Sequence, residues 1–335
     1  ARNSLTKTLG NDLIAQASLQ AELIRSYLIW TRGMAIDLAA ASEAASFDEA
    51  TMLATIRQTL QRNDQIFGST IAYEPYQFQS NLYYWSPYYS RASDGKIQFT
   101  QLGNVEYDYF KWDWYTLPKK ENTPVLSPPY FDEGGGDIWM VTWSVPFYDS
   151  AGKFKGVATT DMSFQQTQEI VRQIEVGRQG YAFLINQDGT VLGIGDQGGQ
   201  YQVMEQSMLV TDSQEAADWN NMLTAMTKVE SGFVEVTDPQ GKPLFVAYEP
   251  IGLDTGWYLG LAFPQTELFE PAKQLQTTLI LLSILVAMIA SVVLFFFTRS
   301  ITLPIQQLAS RAKLFSQGQV NLSQAEPIFI QTHDE

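Results

Sequence analysis

Nineteen consecutive residues, Leu279 to Phe297 (LILLSILVAMIASVVLFFF), carry no charge and only two serines. At a helical rise of about 1.5 Å per residue the run reaches roughly 29 Å, close to the hydrocarbon thickness of a bilayer. A buried helix of that length in a soluble core would normally keep a polar face, and this one has none. The run therefore predicts a transmembrane helix over 279–297. A chain with such a span must place its remaining residues on two sides of a membrane.

Flanking charge gives the orientation. Arg299, Arg311 and Lys313 follow the span, whereas Lys273 before it is offset by Glu267 and Glu270. The basic side faces the cytoplasm, so residues 298–335 are expected there and residues 1–278 outside. An exported domain needs a targeting signal, and none stands at Ala1, so an earlier hydrophobic segment before residue 1 is expected.

With 36 acidic against 21 basic residues, a formal charge of −15, the chain lacks the basic surface that nucleic acid requires. There is no cysteine, and His333 is the one histidine. Disulfides, thiolate metal sites, cysteine nucleophiles, Ser-His-Asp triads and multi-histidine metal sites are thereby excluded. The run Gly134-Gly135-Gly136 lacks the lysine and hydroxyl of a phosphate loop. The pair Asp132-Glu133 shows no apolar setting that would tune it for acid–base work. No cofactor is expected, and no enzymatic activity for this stretch of chain.

Residues 1–46 carry apolar positions at helical spacing (Leu13, Ile14, Ala17, Leu23, Ile24, Leu28) and predict a long stalk helix, suited to bracing domains or pairing with a second copy. From Ile66 the texture becomes short β-like runs punctuated by turns, among them Ser93-Asp94-Gly95-Lys96 and Asp149-Ser150-Ala151-Gly152-Lys153. A helical stretch at 165–179 precedes a second set, GYAFLINQDGTVLGIG, a helix near 213–230, SGFVEVTDPQGKPLFVAYEPI and GWYLGLAFP. The fold expected is α+β: a membrane-distal antiparallel-sheet unit over 47–168, the end of a linker helix at 169–178, and a membrane-proximal unit over 179–270.

After the span, Pro304 is followed by Ile305, Leu308, Ala312 and Phe315 at four- and three-residue steps, as for a helix in a parallel bundle. With Gly318 as a stop and Asp334-Glu335 as an acidic start, residues 298–335 resemble the first helix and connector of a HAMP module. A generic amphipathic juxtamembrane helix would carry much of the same pattern.

The long helix, the two sheet units and the phrases IFGSTIAYEP, GVATTDMS, GYAFLINQDGTVL and GWYLGLAFP, taken in order, resemble the double Cache family of bacterial sensors. The resemblance spans nearly the whole chain. It implies tandem PAS-like units, a ligand pocket in the distal one, a homodimer, and a bacterial inner-membrane location.

The chemically densest stretch is YDYFKWDWYTLPKKENTPVLSPPYFDEGGGD, whose prolines suggest loop more than strand. Aromatic faces attract cations, and carboxylates bind ammonium groups with charge-assisted hydrogen bonds. The same residues also fit a core of aromatics with a solvated acidic rim. The family resemblance selects among them: a pattern of tyrosine, arginine, Trp-Tyr, Tyr-x-Asp and a strand-closing aspartate falls on Tyr107, Trp114-Tyr115, Tyr130, Asp132 and Asp161. By that resemblance Asp132 and Asp161 hold the ligand's ammonium group. The arginine that would grip a carboxylate is replaced by Trp112, and Asp113 beside it resembles the acid of relatives that bind amines.

These residues lead to the expectation of a receptor for a small amine or quaternary ammonium ligand. An amino acid is the alternative, and so is a ligandless ectodomain that binds a protein or only dimerises. Output domains of phosphatase, nucleotide cyclase, histidine kinase or chemotaxis type all suit such a front end.

Overall fold

A single stripe of buried residues organises the first helix. In the computed structural model, which describes residues 2–44, 48–198, 203–204, 208, 217–228 and 231–316, α1 (Arg2–Glu43) buries Leu13, Ala17, Ala21, Ile24, Leu28 and Ala35 at three-, four- and seven-residue steps. These steps hold one face of the helix against its neighbours, and the alanines allow close approach. The chain divides into two compact units, Ala1–Glu267 and Leu268–Glu335.

In the first unit α1 lies along two antiparallel sheets. It touches one through Thr31, whose carbonyl accepts a 2.9 Å hydrogen bond from the Thr160 hydroxyl. It touches the other through Arg25, whose Nε donates to the Ile251 carbonyl at 2.7 Å. Helix α2 (Glu49–Arg62) starts at an Asp48 cap whose side chain accepts from the Thr51 amide at 2.8 Å.

The first sheet contains β1 (Gly68–Tyr73), β2 (Ser86–Arg91), β3 (Ile97–Leu102), β4 (Val125–Leu126), β5 (Tyr130–Phe131), β6 (Trp139–Tyr148) and β7 (Phe154–Ser163). Its order is β3-β2-β1-β7-β6-β4, with β5 also on β6. The hairpin turn expected at 149–153 joins β6 to β7, and the Asp149 carboxylate accepts from the Ala151 and Lys153 amides, each at 2.9 Å. The proline-rich stretch differs from the loop expected there. Asp113–Glu121 forms α3 with Pro118 inside it, ending at Asn122 in the left-handed region at φ 59°. Burial of Trp114, Tyr115 and Pro118 outweighs the proline's missing donor.

Helix α4 (Phe164–Arg172) leaves β7 through a capping box at Ser163 and Gln166. The helix is shorter than the 165–179 read from the sequence: it ends at Arg172 with Gln173 as its cap, and the chain turns again at Gly177, φ 58°. The second sheet, ordered β10-β11-β12-β8-β9, comprises β8 (Tyr181–Ile185), β9 (Val191–Ile194), β10 (Gly232–Thr237), β11 (Pro243–Pro250) and β12 (Tyr258–Pro264), with α5 (Ala217–Met226) against it. Trp219, Phe183, Met222 and Val246 share its core. The Gln168 side chain clamps β9, donating to the Ile194 carbonyl and accepting from the Ile194 amide, both at 2.7 Å.

Helix α6 (Gln265–Phe297) contains the apolar run and leads through a π turn at Thr298–Thr302 into α7 (Leu303–Ser316). Pro304 is in the first turn of α7, where its missing N–H costs little. The helical run has a mean hydropathy of 3.0 over its most apolar window and is long and apolar enough to cross a membrane. Gly318 and the Asp334-Glu335 pair lie outside the described residues.

Candidate functional site

Asp161 on β7 faces Thr142 of β6 across one ladder and Gly68 of β1 across the other. Opposed residues in an antiparallel pair project to the same face. The Thr142 hydroxyl donates to Asp161 Oδ1 at 2.9 Å. Gly68 keeps the other flank open, since a Cβ there would overlap the Tyr88 hydroxyl and the Asp161 carboxylate. Tyr88, on β2, is 1% exposed, and its hydroxyl sits beside Asp161 without a well-aligned hydrogen bond.

Asp132 follows β5 at the head of a tight turn. The Asp137 amide donates to the Asp132 carbonyl at 2.8 Å, and the Gly136 amide donates to Asp132 Oδ2 at 2.6 Å. The Tyr107 hydroxyl donates to Oδ1, also at 2.6 Å. Tyr107 is itself fixed by Asn104, whose side-chain oxygen accepts from the Glu106 and Tyr107 amides at 2.7 Å. A side chain on Gly135 would run into the Asp132 carboxylate, so the glycine run is what lets the backbone wrap this acid.

Both acids are buried, at 3% and 4% exposed. Burial, and then the negative charge of Asp132, pushes Asp161 up to about 7. Burial also raises Asp132, against the Tyr107 and Gly136 donors that favour its charged form. The Tyr88, Tyr107 and Tyr130 hydroxyls are pushed far up by burial and then by these carboxylates, so they stay protonated. Among the described residues, none of the groups acting on either acid is a cation.

Trp112 packs on the two tyrosines that flank the acids. Its ring stacks on Tyr107 at 5.5 Å and packs against Tyr130 at 5.5 Å. Tyr130 in turn shares a 2.8 Å hydrogen bond with the Thr142 hydroxyl. Trp112, Trp114 and Tyr130 line a groove of about 340 Å³, with Lys111, Asp113, Pro128 and Pro129 completing it. Lys111 pairs with Asp108 at 2.9 Å.

The structure thus brings together Tyr107, Trp112, Tyr130, Asp132 and Asp161, with Trp114 reaching the Tyr107 hydroxyl. Asp113 is exposed at the groove, in the first turn of α3. Tyr115 lies apart: its hydroxyl donates to Glu74 at 2.7 Å, and it lines a separate groove of about 650 Å³. Tyr88, Thr142 and Gly68 were not among the residues the sequence assigned to the site; of these Gly68 left a signal, since a glycine inside a strand marks close approach.

Residues 52–169 match the family model described as the first PDC sensor domain of methyl-accepting chemotaxis protein-like receptors. The methyl-accepting chemotaxis protein McpC of Bacillus subtilis is 27% identical over 218 residues, covering 65% of this chain and 30% of that protein. The chain thus spans about a third of the length of the curated relatives it matches. The extracellular domain of mmHK1S-Z2, assigned to the histidine kinases, superposes with a TM-score of 0.65 at 24% identity, covering 78% of this chain and 99% of that one. The ligand-binding domain of the Pseudomonas fluorescens chemoreceptor CtaA, solved with L-isoleucine, gives a TM-score of 0.56 at 22% identity, covering 80% and 98%. The fold expected from the sequence, a long helix with two Cache-type sheet units followed by an apolar helix, is the fold observed.

Proposed function

We propose that this chain is the sensory part of a transmembrane signalling receptor and that its distal sheet captures a small cationic amine. Two buried carboxylates behind aromatic rings, with no cation among the described residues acting on them, carry this reading. Buried charges require partners, and here an ammonium from outside supplies one. Asp132 and Asp161 take its charge, while Tyr107, Trp112 and Tyr130 present ring faces. Trp114 backs these rings and Asp113 lies at the mouth.

Against an α-amino acid stands the groove's cation inventory. Its one basic residue, Lys111, is engaged with Asp108, and Trp112 occupies the place where the family resemblance puts a carboxylate-binding arginine. The bound L-isoleucine of the CtaA domain favours the amino-acid alternative. Isothermal titration of the chain in nanodiscs against amines and their α-carboxylated counterparts decides between them. Binding confined to carboxylate-bearing ligands overturns the amine reading.

In this proposal residues 1–278 lie outside a bacterial inner membrane and 298–335 inside, with α7 opening a HAMP module. The outward apolar residues of α1, Leu5, Leu19, Leu23, Ile29 and Ile36, support pairing with a second copy. A ligand shifts such a receptor only through different affinities for its two states.

A further inference from the structure

The direction of each hydrogen bond around Asp161 and Asp132 narrows the kind of cation the site accepts. Thr142 has one hydroxyl proton, and it is given to Asp161 Oδ1. In the 2.8 Å contact between Tyr130 and Thr142 the proton must therefore come from Tyr130. The Tyr107 proton is likewise committed to Asp132, and the Gly136 N–H is committed to the other oxygen of the same carboxylate. Tyr88 is buried beside Asp161, and its hydroxyl has no hydrogen-bond partner among the described residues.

Behind Tyr130, the one of them that lines the groove, sits a buried cluster of oxygens with acceptor capacity left: Tyr88, Asp132 and Asp161. Leaving such groups buried and unmatched is costly, and matching them to a charged donor is strongly favourable. A quaternary ammonium supplies charge but no N–H. A primary ammonium supplies the same charge and three donors.

We infer that the pocket is specific for ammonium groups bearing N–H, primary amines above all, and discriminates against their quaternary counterparts. The inference rests on reading the site as an amine pocket. Tyr88 is the specificity-determining residue it adds, an acceptor brought in from β2 that no ring-stacking role requires.

The test is isothermal titration of the chain in nanodiscs with a panel of primary amines, each beside its N,N,N-trimethyl and α-carboxy counterparts; ethanolamine, choline and serine form one such set. Primary amines are expected to bind about tenfold or more tighter than the trimethyl forms, the scale of one hydrogen bond to a charged group. Equal or tighter binding of the trimethyl forms overturns the inference and leaves the amine reading standing. Binding of the carboxylated forms alone, or of none, overturns both. In Tyr88→Phe the ratio is expected to narrow through weaker primary-amine binding. A ratio unchanged in this variant, with the fold intact by circular dichroism, overturns the role assigned to Tyr88. Tyr130→Phe provides a second variant should Tyr88→Phe not fold.

Discussion

The Tyr107 hydroxyl reaches Asp132 Oδ1 at 2.6 Å across 25 residues of sequence. It is one of two donors that favour the charged form of this carboxylate against the upward push of burial, the other being the Gly136 amide.

Removing that donor in Tyr107→Phe leaves Asp132 Oδ1 buried without its partner. A loss of about 1–3 kcal/mol in folding stability is expected, together with about a tenfold weaker amine affinity. Urea denaturation and isothermal titration measure the two effects. Unchanged affinity would remove Asp132 from the binding site.

Asp161 sets the pH dependence. Its folded value of about 7 lies above its ordinary 3.8, so the native state holds a proton that the unfolded chain releases. The ligand-free protein is therefore most stable on this account below about pH 4, and it loses up to about 1.4 kcal/mol per pH unit from there to about pH 7. Amine binding, which needs the charged carboxylate, strengthens over the upper part of the same window. Asp161→Asn is expected to flatten that contribution to thermal stability and abolish amine binding. A slope that survives in the variant would place the titration elsewhere.

Gly136 tests the wrap around Asp132. A Cβ at this position would collide with Met140 and Phe67 and crowd the Asp132 carboxylate. Gly136→Ala is expected to cost about 1–3 kcal/mol and to weaken ligand binding, whereas Gly33→Ala, in a helix with open space around it, leaves binding unchanged. Equal affinities in the two variants would show that the turn does not position the acid.

A second carboxylate anchors the chain far from the pocket. Glu267, its side chain 8% exposed, accepts from the Arg178 and Gln179 amides at 2.8 and 2.9 Å. It thereby ties the turn after α4 to the first turn of α6. Glu267→Ala is expected to lower stability by about 1–3 kcal/mol, with amine affinity within twofold of the wild-type chain. A matching loss of affinity would mean that this anchor shapes the pocket itself.

The features legible in the sequence are those written locally. The apolar run is continuous, the stripe on α1 repeats at helical spacing, and turns such as Asp149–Lys153 carry their own side-chain acceptors. Asp132, Asp161 and Tyr107 came from a family resemblance, and the geometry brings all three to one cluster. Thr142 and Tyr88 were out of reach because their place beside Asp161 depends on sheet order and register, which no local pattern encodes. Tyr115 shows a different difficulty. Next to Trp114 in sequence, it is rotated by about 100° once the segment becomes helical, and so faces Glu74.

Helix α1 belongs to neither sheet alone, with Arg25 fastened to the proximal one and Thr31 to the distal one. Receptor engineering by recombination inherits this shared spine. A chimera that grafts a new distal unit onto this stem has its seam between those two residues, in helical register, and a matching seam in α4 ahead of Gln168. Crossovers placed at the sheet boundaries alone would pair each graft with the wrong half of its floor.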